Sequence, residues 1–247
     1  MCIRDSGLSY VNIGIVGKNV GTVSDINGNF EIPLKEIYNQ DTLRISMIGY
    51  ESLEYIVADF KEEITKNSDI LLAPQITDLQ EVIISSTKFT NEKTLGNKTT
   101  SQVMRGGFET DKLGNEVGLV IKIKKRPTFI KSFHASIVEN KYGKVKFRLN
   151  LYDLNKKKMP ENSILKENII IETELKNGIL SVDLSEYNII VEDDFLISLE
   201  WIESYGKDGL YFSAGVFGSP IITRETSQGD WEKVAPFCLG FNVVAKY

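Results

Sequence analysis

Apolar residues recur at every second position along most of this chain, and that period restricts it to strands with one buried face. Val11, Ile13 and Ile15 stand against Asn12 and Gly14, and Leu43, Ile45 and Met47 against Arg44 and Ser46. The pattern returns with Leu119, Ile121 and Ile123 against Lys122 and Lys124. It is plainest where Val145, Phe147, Leu149 and Leu151 oppose Lys144, Lys146, Arg148 and Asn150, so each strand is expected to have one dry face and one wet. Further strands are expected at 55–57, 64–72, 169–175, 179–184, 195–202, 210–216 and 237–245. A helical period is absent over any long window, and residues 33–38 offer at most one helical turn. The fold class expected is all-β.

Turn chemistry places the strands relative to one another. Residues 21–30 read Gly-Thr-Val-Ser-Asp-Ile-Asn-Gly-Asn-Phe. Asp25 suits the first corner of a type I turn, its carboxylate accepting an amide two residues on, and Gly28 suits the last, where a left-handed residue is needed. Phe30 and Ile32 restart the alternation, so a hairpin is expected there. Asn177-Gly178, between runs of β-formers, predicts a second hairpin joining 169–175 to 179–184. Residues 85–101 are polar and rich in Thr, Asn and Lys, the composition of a linker. The chain is thereby divided into a unit at 7–84 and a unit at 102–247, the second with about eight strands at the spacing of a jelly-roll-like antiparallel sandwich.

Composition narrows the function classes. With 42% hydrophobic and 26% charged residues the chain is ordinary for a globular protein rather than a disordered one. Apolar runs such as 70–73 and 169–171 fall far short of the roughly 20 residues of a transmembrane helix, so no transmembrane segment is expected. A formal net charge of -5 argues against a nucleic-acid partner, and Lys122, Lys124, Lys125 and Arg126 read as the solvated exit of one strand. Cys2 and Cys238 make no disulfide framework. The opening Met1-Cys2-Ile3-Arg4-Asp5-Ser6 resembles a translated adapter and is set aside, with a native start expected upstream.

Three stretches in order, Tyr-Val-Asn-Ile-Gly-Ile at 10–15, the turn sequence at 21–30 and Leu-Arg-Ile-Ser-Met-Ile-Gly-Tyr at 43–50, resemble the carboxypeptidase regulatory-like domain. The resemblance covers the first third of the chain and implies a small transthyretin-like β-sandwich without catalytic residues. It also implies a setting beside peptidases or at the N-terminus of outer-membrane receptors in the bacterial envelope, in the periplasm or at the outer membrane. Residues 78–84 resemble the short extended segment that follows this domain in such receptors. The family has a further strand before the position of Tyr10, where this chain carries the suspect hexapeptide.

Candidate chemistry is sparse. His134 is the single histidine, within a plain Ser-Phe-His-Ala-Ser strand, which excludes a zinc site built on two histidines and leaves one imidazole as a base. Glu192, Asp193 and Asp194 are adjacent acids in a turn, more consistent with solvation than with glycoside hydrolysis. Gly106, Gly107 and Gly114 lack the lysine and hydroxyl of a phosphate loop. Asp25, Asn27, Asn29 and Glu36 fall at calcium-loop positions, but Phe30 replaces the required glycine, so the turn reading stands. No catalytic residue, cofactor or metal is expected. Tyr205, Tyr211 and Trp231, with Phe217 nearby, gather in the loop-rich last quarter and are the candidate ligand-binding aromatics, unless residues such as Phe217 and Trp201 are core. The chain is expected to be a non-catalytic envelope protein whose two sandwiches serve binding or assembly with a protein or polysaccharide partner. The alternatives are a carbohydrate-binding accessory module and an accessory part of a peptidase or receptor system. Whether Tyr205, Tyr211 and Trp231 share one exposed face discriminates the carbohydrate reading.

Overall fold

A computed structural model describes residues 7–75, 89–206 and 209–247. The hexapeptide with Cys2, the receptor-like segment at 78–84 and the first part of the expected linker lie outside the described residues.

The first unit contains β1 (Asn12–Ile15), β2 (Gly21–Val23), β3 (Thr42–Ser46), β4 (Leu53–Ile56) and α1 (Val57–Lys66). Its strands form one antiparallel sheet in the order β2-β1-β3-β4. Ile13, Ile15, Leu43 and Ile45 point from it into a core closed by Val57 and Phe60 of α1 and by Phe30, Ile32, Leu34, Ile70 and Leu72. The layer opposite the sheet is therefore helix and extended chain.

Two details differ from the sequence reading. Residues 57–66 are helical where a strand was expected to begin at Ile64: Val57, Phe60 and Ile64 fall on one stripe, and the helix's first amides are satisfied by the carbonyls of Asp41 and Asn39 at 3.0 and 3.1 Å. That helical stripe is too brief to stand out beside the strands around it. The turn at Asp25 forms as expected, with Asp25 Oδ1 accepting from the amides of Asn27 and Asn29 at 2.8 and 2.9 Å and Gly28 at a φ of 86°. Those amides, Asn29's foremost, hold the Asp25 carboxyl below its ordinary range. Phe30 and Ile32 nonetheless enter no sheet, and β2 pairs instead with β1.

The second unit comprises β5 (Glu92–Gly96), β6 (Arg105–Phe108), β7 (Glu116–Ile121), β8 (Thr128–Asn140), β9 (Val145–Leu154), β10 (Pro160–Ser163), β11 (Ile169–Thr173) and β12 (Gly178–Asp183). It continues with β13 (Ile190–Val191), β14 (Phe195–Trp201), β15 (Leu210–Val216), β16 (Ile221–Arg224), β17 (Glu232–Val234), β18 (Phe237–Leu239) and β19 (Phe241–Lys246). These strands make a jelly-roll-like sandwich of two antiparallel sheets. A seven-stranded sheet runs β10-β9-β14-β7-β16-β17 with β11 also on β9, and an eight-stranded sheet runs β18-β15-β8-β19-β5 with β6, β12 and β13 attached. Phe147, Leu149 and Trp201 from the first sheet meet Phe133, Phe212 and Phe241 from the second in one core.

Asn177-Gly178 is a turn, but its flanking strands do not pair: β11 pairs with β9 and β12 with β8, so the turn carries the chain from one sheet to the other. Both strands bury one face of the same core, which satisfies the alternation as well as a hairpin does. Residues 92–96, inside the stretch read as linker, are the edge strand β5, paired with β19 from Asn242 to Lys246. Glu92, Lys93 and Thr94 are polar because an edge strand faces solvent.

Candidate ligand cleft between the two units

The alternation of β9 predicts a wet face carrying Lys146, Arg148 and Asn150. Arg148 and Asn150 are instead 1% and 3% exposed, because the first unit is seated on that face. Beneath it the strand register aligns four charged side chains across four strands: Arg224 on β16 lies opposite Glu116 on β7, Glu116 opposite Glu200 on β14, and Glu200 opposite Arg148 on β9. Adjacent glutamates repel, and the two flanking arginines offset that repulsion. Arg148 Nε donates to Glu200 Oε2 at 2.9 Å and Arg224 Nη2 approaches Glu116 Oε2 at 2.6 Å. Asn150 Nδ2 donates to both glutamates, at 3.0 and 2.9 Å, and Ser198 Oγ donates to Glu116.

A row buried this way is tolerated only when each charge is paired and hydrogen-bonded. Burial raises the Glu116 carboxyl above its ordinary value, Arg224 pulls it back, and Glu200 adds to the rise. For Arg224, burial acts to lower the pKa, and Glu116, Tyr152 and Glu200 together outweigh it and raise it. Burial likewise pushes the Tyr152 hydroxyl well up, and Glu116 adds to it. Tyr152 is thus a neutral donor beside this row.

Arg148 also joins the two units. Its Nη1 donates to the carbonyl of Tyr10 at 2.9 Å and its Nη2 to Asn12 Oδ1 at 2.8 Å. Beside it, Lys146 Nζ donates to Glu203 Oε1 at 2.6 Å and to the Tyr10 hydroxyl at 3.0 Å, and Tyr205 donates to the other Glu203 oxygen at 2.9 Å. Tyr10, Val23 and Ile202 add an apolar seam.

Close approach is permitted by Gly14 and Gly21, which face each other across β1 and β2. A Cβ on either would stand 2.2 or 2.3 Å from the carbonyl oxygen of Ser227. Next to this contact, Gln228 Nε2 donates to Ser46 Oγ at 2.8 Å and the amide of Gly17 to the Gln228 carbonyl at 3.0 Å. Gly14→Ala is therefore expected to force the units apart, since no side-chain rotation relieves a clash with backbone. A loss of about 1–3 kcal/mol, typical of overpacking, should appear as a lowered thermal midpoint; an unchanged midpoint would count against the tight seating.

The seating leaves a cleft of about 500 Å³, floored by Arg148, Asn150, Tyr152 and Arg224 and walled by residues 46–50 and Ser52 of the first unit and 161–166 of the second. The aromatics singled out from sequence do not share one face. Tyr205 packs edge-on against the buried Trp201, 6.0 Å between rings, within the seam. Tyr211 lies on β15 of the eight-stranded sheet under Arg105, 4.5 Å from the ring. Trp231 leans on Tyr152 at 5.6 Å and under Arg224 at 4.6 Å, on the seven-stranded side. Trp201 is core, whereas Phe217 is 90% exposed and is not.

The remaining candidates stand apart from the cleft. His134 on β8 sits between Ser132 and Ser181, each at 2.9 Å, and burial lowers its pKa, leaving it neutral near pH 7. Asp194 Oδ1 accepts from the amide of Ile123 at 3.0 Å, and Asp193 pairs with Arg126. Sequence reasoning missed Glu116, Glu200, Arg148 and Arg224. The available signal was Glu200 in Phe-Leu-Ile-Ser-Leu-Glu-Trp, a lone acid in an otherwise uncharged strand.

Residues 3–84 match the family model of the CarboxypepD_reg-like domain. No curated protein matches the chain. Among solved structures, the chain is similar to the cysteine protease and lectin-like domains of Cwp84, a surface layer associated protein of Clostridium difficile, with 9% identity and a TM-score of 0.40. That similarity covers 55% of this chain and 32% of the other, so the chain spans about a third of that protein's length. No helix among the described residues is long and apolar enough to cross a membrane.

Proposed function

We propose, from an N-terminal unit that is a CarboxypepD_reg-like domain, that this chain is a non-catalytic binding or assembly protein of the bacterial envelope, at the periplasm or outer membrane. The observation that carries the reading is the seating of the first unit on the second. The domain is not a bead on a flexible tether, because Arg148, Lys146 and the Gly14–Gly21 window hold it as one wall of a polar cleft. Binding clefts between rigid units are common ligand sites.

The buried charged side chains in the floor of this cleft are committed to structure. Glu116 and Glu200 each face an arginine, and the single imidazole lies on the other sheet between two serines. Acid–base catalysis needs a positioned group with a proton to exchange with substrate, and these groups are spent on one another. The purified chain is accordingly expected to release no product from casein or from mixed plant and bacterial polysaccharides. Fractionation of cells that make the protein naturally should place it in the periplasm or with the outer membrane. Turnover that Glu116→Gln abolishes, or recovery only from cytosol, would reverse the reading.

A further inference from the structure

We propose that the cleft between the two units binds an acidic saccharide, a body rich in hydroxyls that carries carboxylates. The proposal rests on the reading that the chain binds rather than cleaves. Its volume, about 500 Å³, lies within the range of small-molecule sites. The walls carry neutral amides and hydroxyls, Ser46, Ser52 and Gln75 on one side and Asn162 and Ser163 on the other. Such groups both donate and accept, which is what sugar hydroxyls require of their partners. Tyr50 and Tyr152 add rings to the lining, with apolar faces and polar tips.

Charge selects the acid. Arg148 and Arg224 in the floor are matched by Glu200 and Glu116, so the floor is electrically balanced. The walls are not: they present Arg44 and Lys166 against Glu161. Arg44 makes a single 3.4 Å contact with Ser52 and lies 3.8 Å from the exposed Glu54. Lys166 has no ion pair among the described residues and is exposed. Arg224, only 8% exposed, lines the same cleft, its Nε buried and without a hydrogen-bond partner, so the accessible guanidinium donors of the cleft are those of Arg44. Unspent guanidinium donors in a partly desolvated cleft are matched by carboxylates, to which arginine donates two bonds at once.

Calorimetric titration of the full chain with trigalacturonate, neutral galactotriose and triglutamate tests this. Trigalacturonate should bind, with the other two about tenfold weaker or more, the difference expected from one charge-assisted hydrogen bond or one set of unmet hydroxyls. Arg44→Ala and Lys166→Ala should each weaken trigalacturonate binding by about tenfold with the melting midpoint unchanged, and added salt should weaken it further. Equal binding of galactotriose would remove the acid selection, and equal binding of triglutamate would remove the saccharide. Absence of trigalacturonate binding, or binding untouched by both variants, would overturn the site. Cleavage of trigalacturonate that both variants diminish would instead uphold the ligand class and overturn the non-catalytic reading.

Discussion

Arg148→Ala is expected to destabilise the protein by about 3–5 kcal/mol, the loss seen when one partner of a buried ion pair is removed. The variant leaves Glu200 buried beside Glu116, with Asn150 as a neutral donor and Arg224 no nearer than 4.0 Å. It also removes the bonds to the Tyr10 carbonyl and Asn12, so the first unit loses its central anchor. Chemical denaturation with the wild-type chain alongside measures the cost. Arg148→Met combined with Glu200→Leu should recover the part owed to the unpaired Glu200, because a well-packed apolar pair replaces both charges at once, while the bonds to Tyr10 and Asn12 stay lost. A single-variant loss below about 1 kcal/mol, the range of ordinary surface substitutions, would show that the row does not hold the units together.

The second large effect is expected in the core. Trp201 is 0% exposed and packs against Phe108, Phe147 and Tyr142 at ring separations of 5.1, 4.9 and 5.0 Å. Trp201→Ala should cost about 3–5 kcal/mol. Trp201→Phe should cost much less, since the indole Nε1 is buried with no hydrogen-bond partner and its removal returns part of a desolvation penalty. Trp231→Ala is the contrast: the ring is half-buried over Arg224, and losing a partly exposed cation–π contact costs about 0.5–2 kcal/mol. Comparable melting midpoints for Trp201→Ala and Trp231→Ala would contradict this division of roles.

Strand chemistry was legible because it is local. The alternation at β1, β3 and β9 and the Asp25 turn are dictated by neighbours within a few residues, and each appears where that chemistry predicts it. Partnership was not legible. Asn177-Gly178 makes the turn its sequence demands, yet β11 and β12 lie alongside β9 and β8, strands of two different sheets that the turn itself does not select. The same limit applies to the cleft. Arg148 sits at an alternate position that ordinarily faces water, and nothing within β9 shows that another unit will cover it. Its burial depends on Gly14 and Gly21, more than a hundred residues earlier, whose missing side chains admit the Ser227 carbonyl. Aromatics in a loop-rich segment gave a weaker guide, since side chains from one stretch of sequence, such as Tyr205, Tyr211 and Trp231, project to different places when a chain weaves between two sheets.

The pairing of β19 with β5 has a consequence for how the molecule is made. Thr94 finds its neighbour only in Val244, and β19 lies inside its sheet, with β8 on its other side. On a ribosome the first unit, whose strands pair within residues 12–56, emerges with all its partners already present. The eight-stranded sheet must wait, its β5 and β8 edges open, until the last of these strands has been translated. Pairings of such long sequence separation form slowly. The early-folded unit and its Gly14–Gly21 window thus precede the surface they receive, and the eight-stranded sheet is the last to be closed.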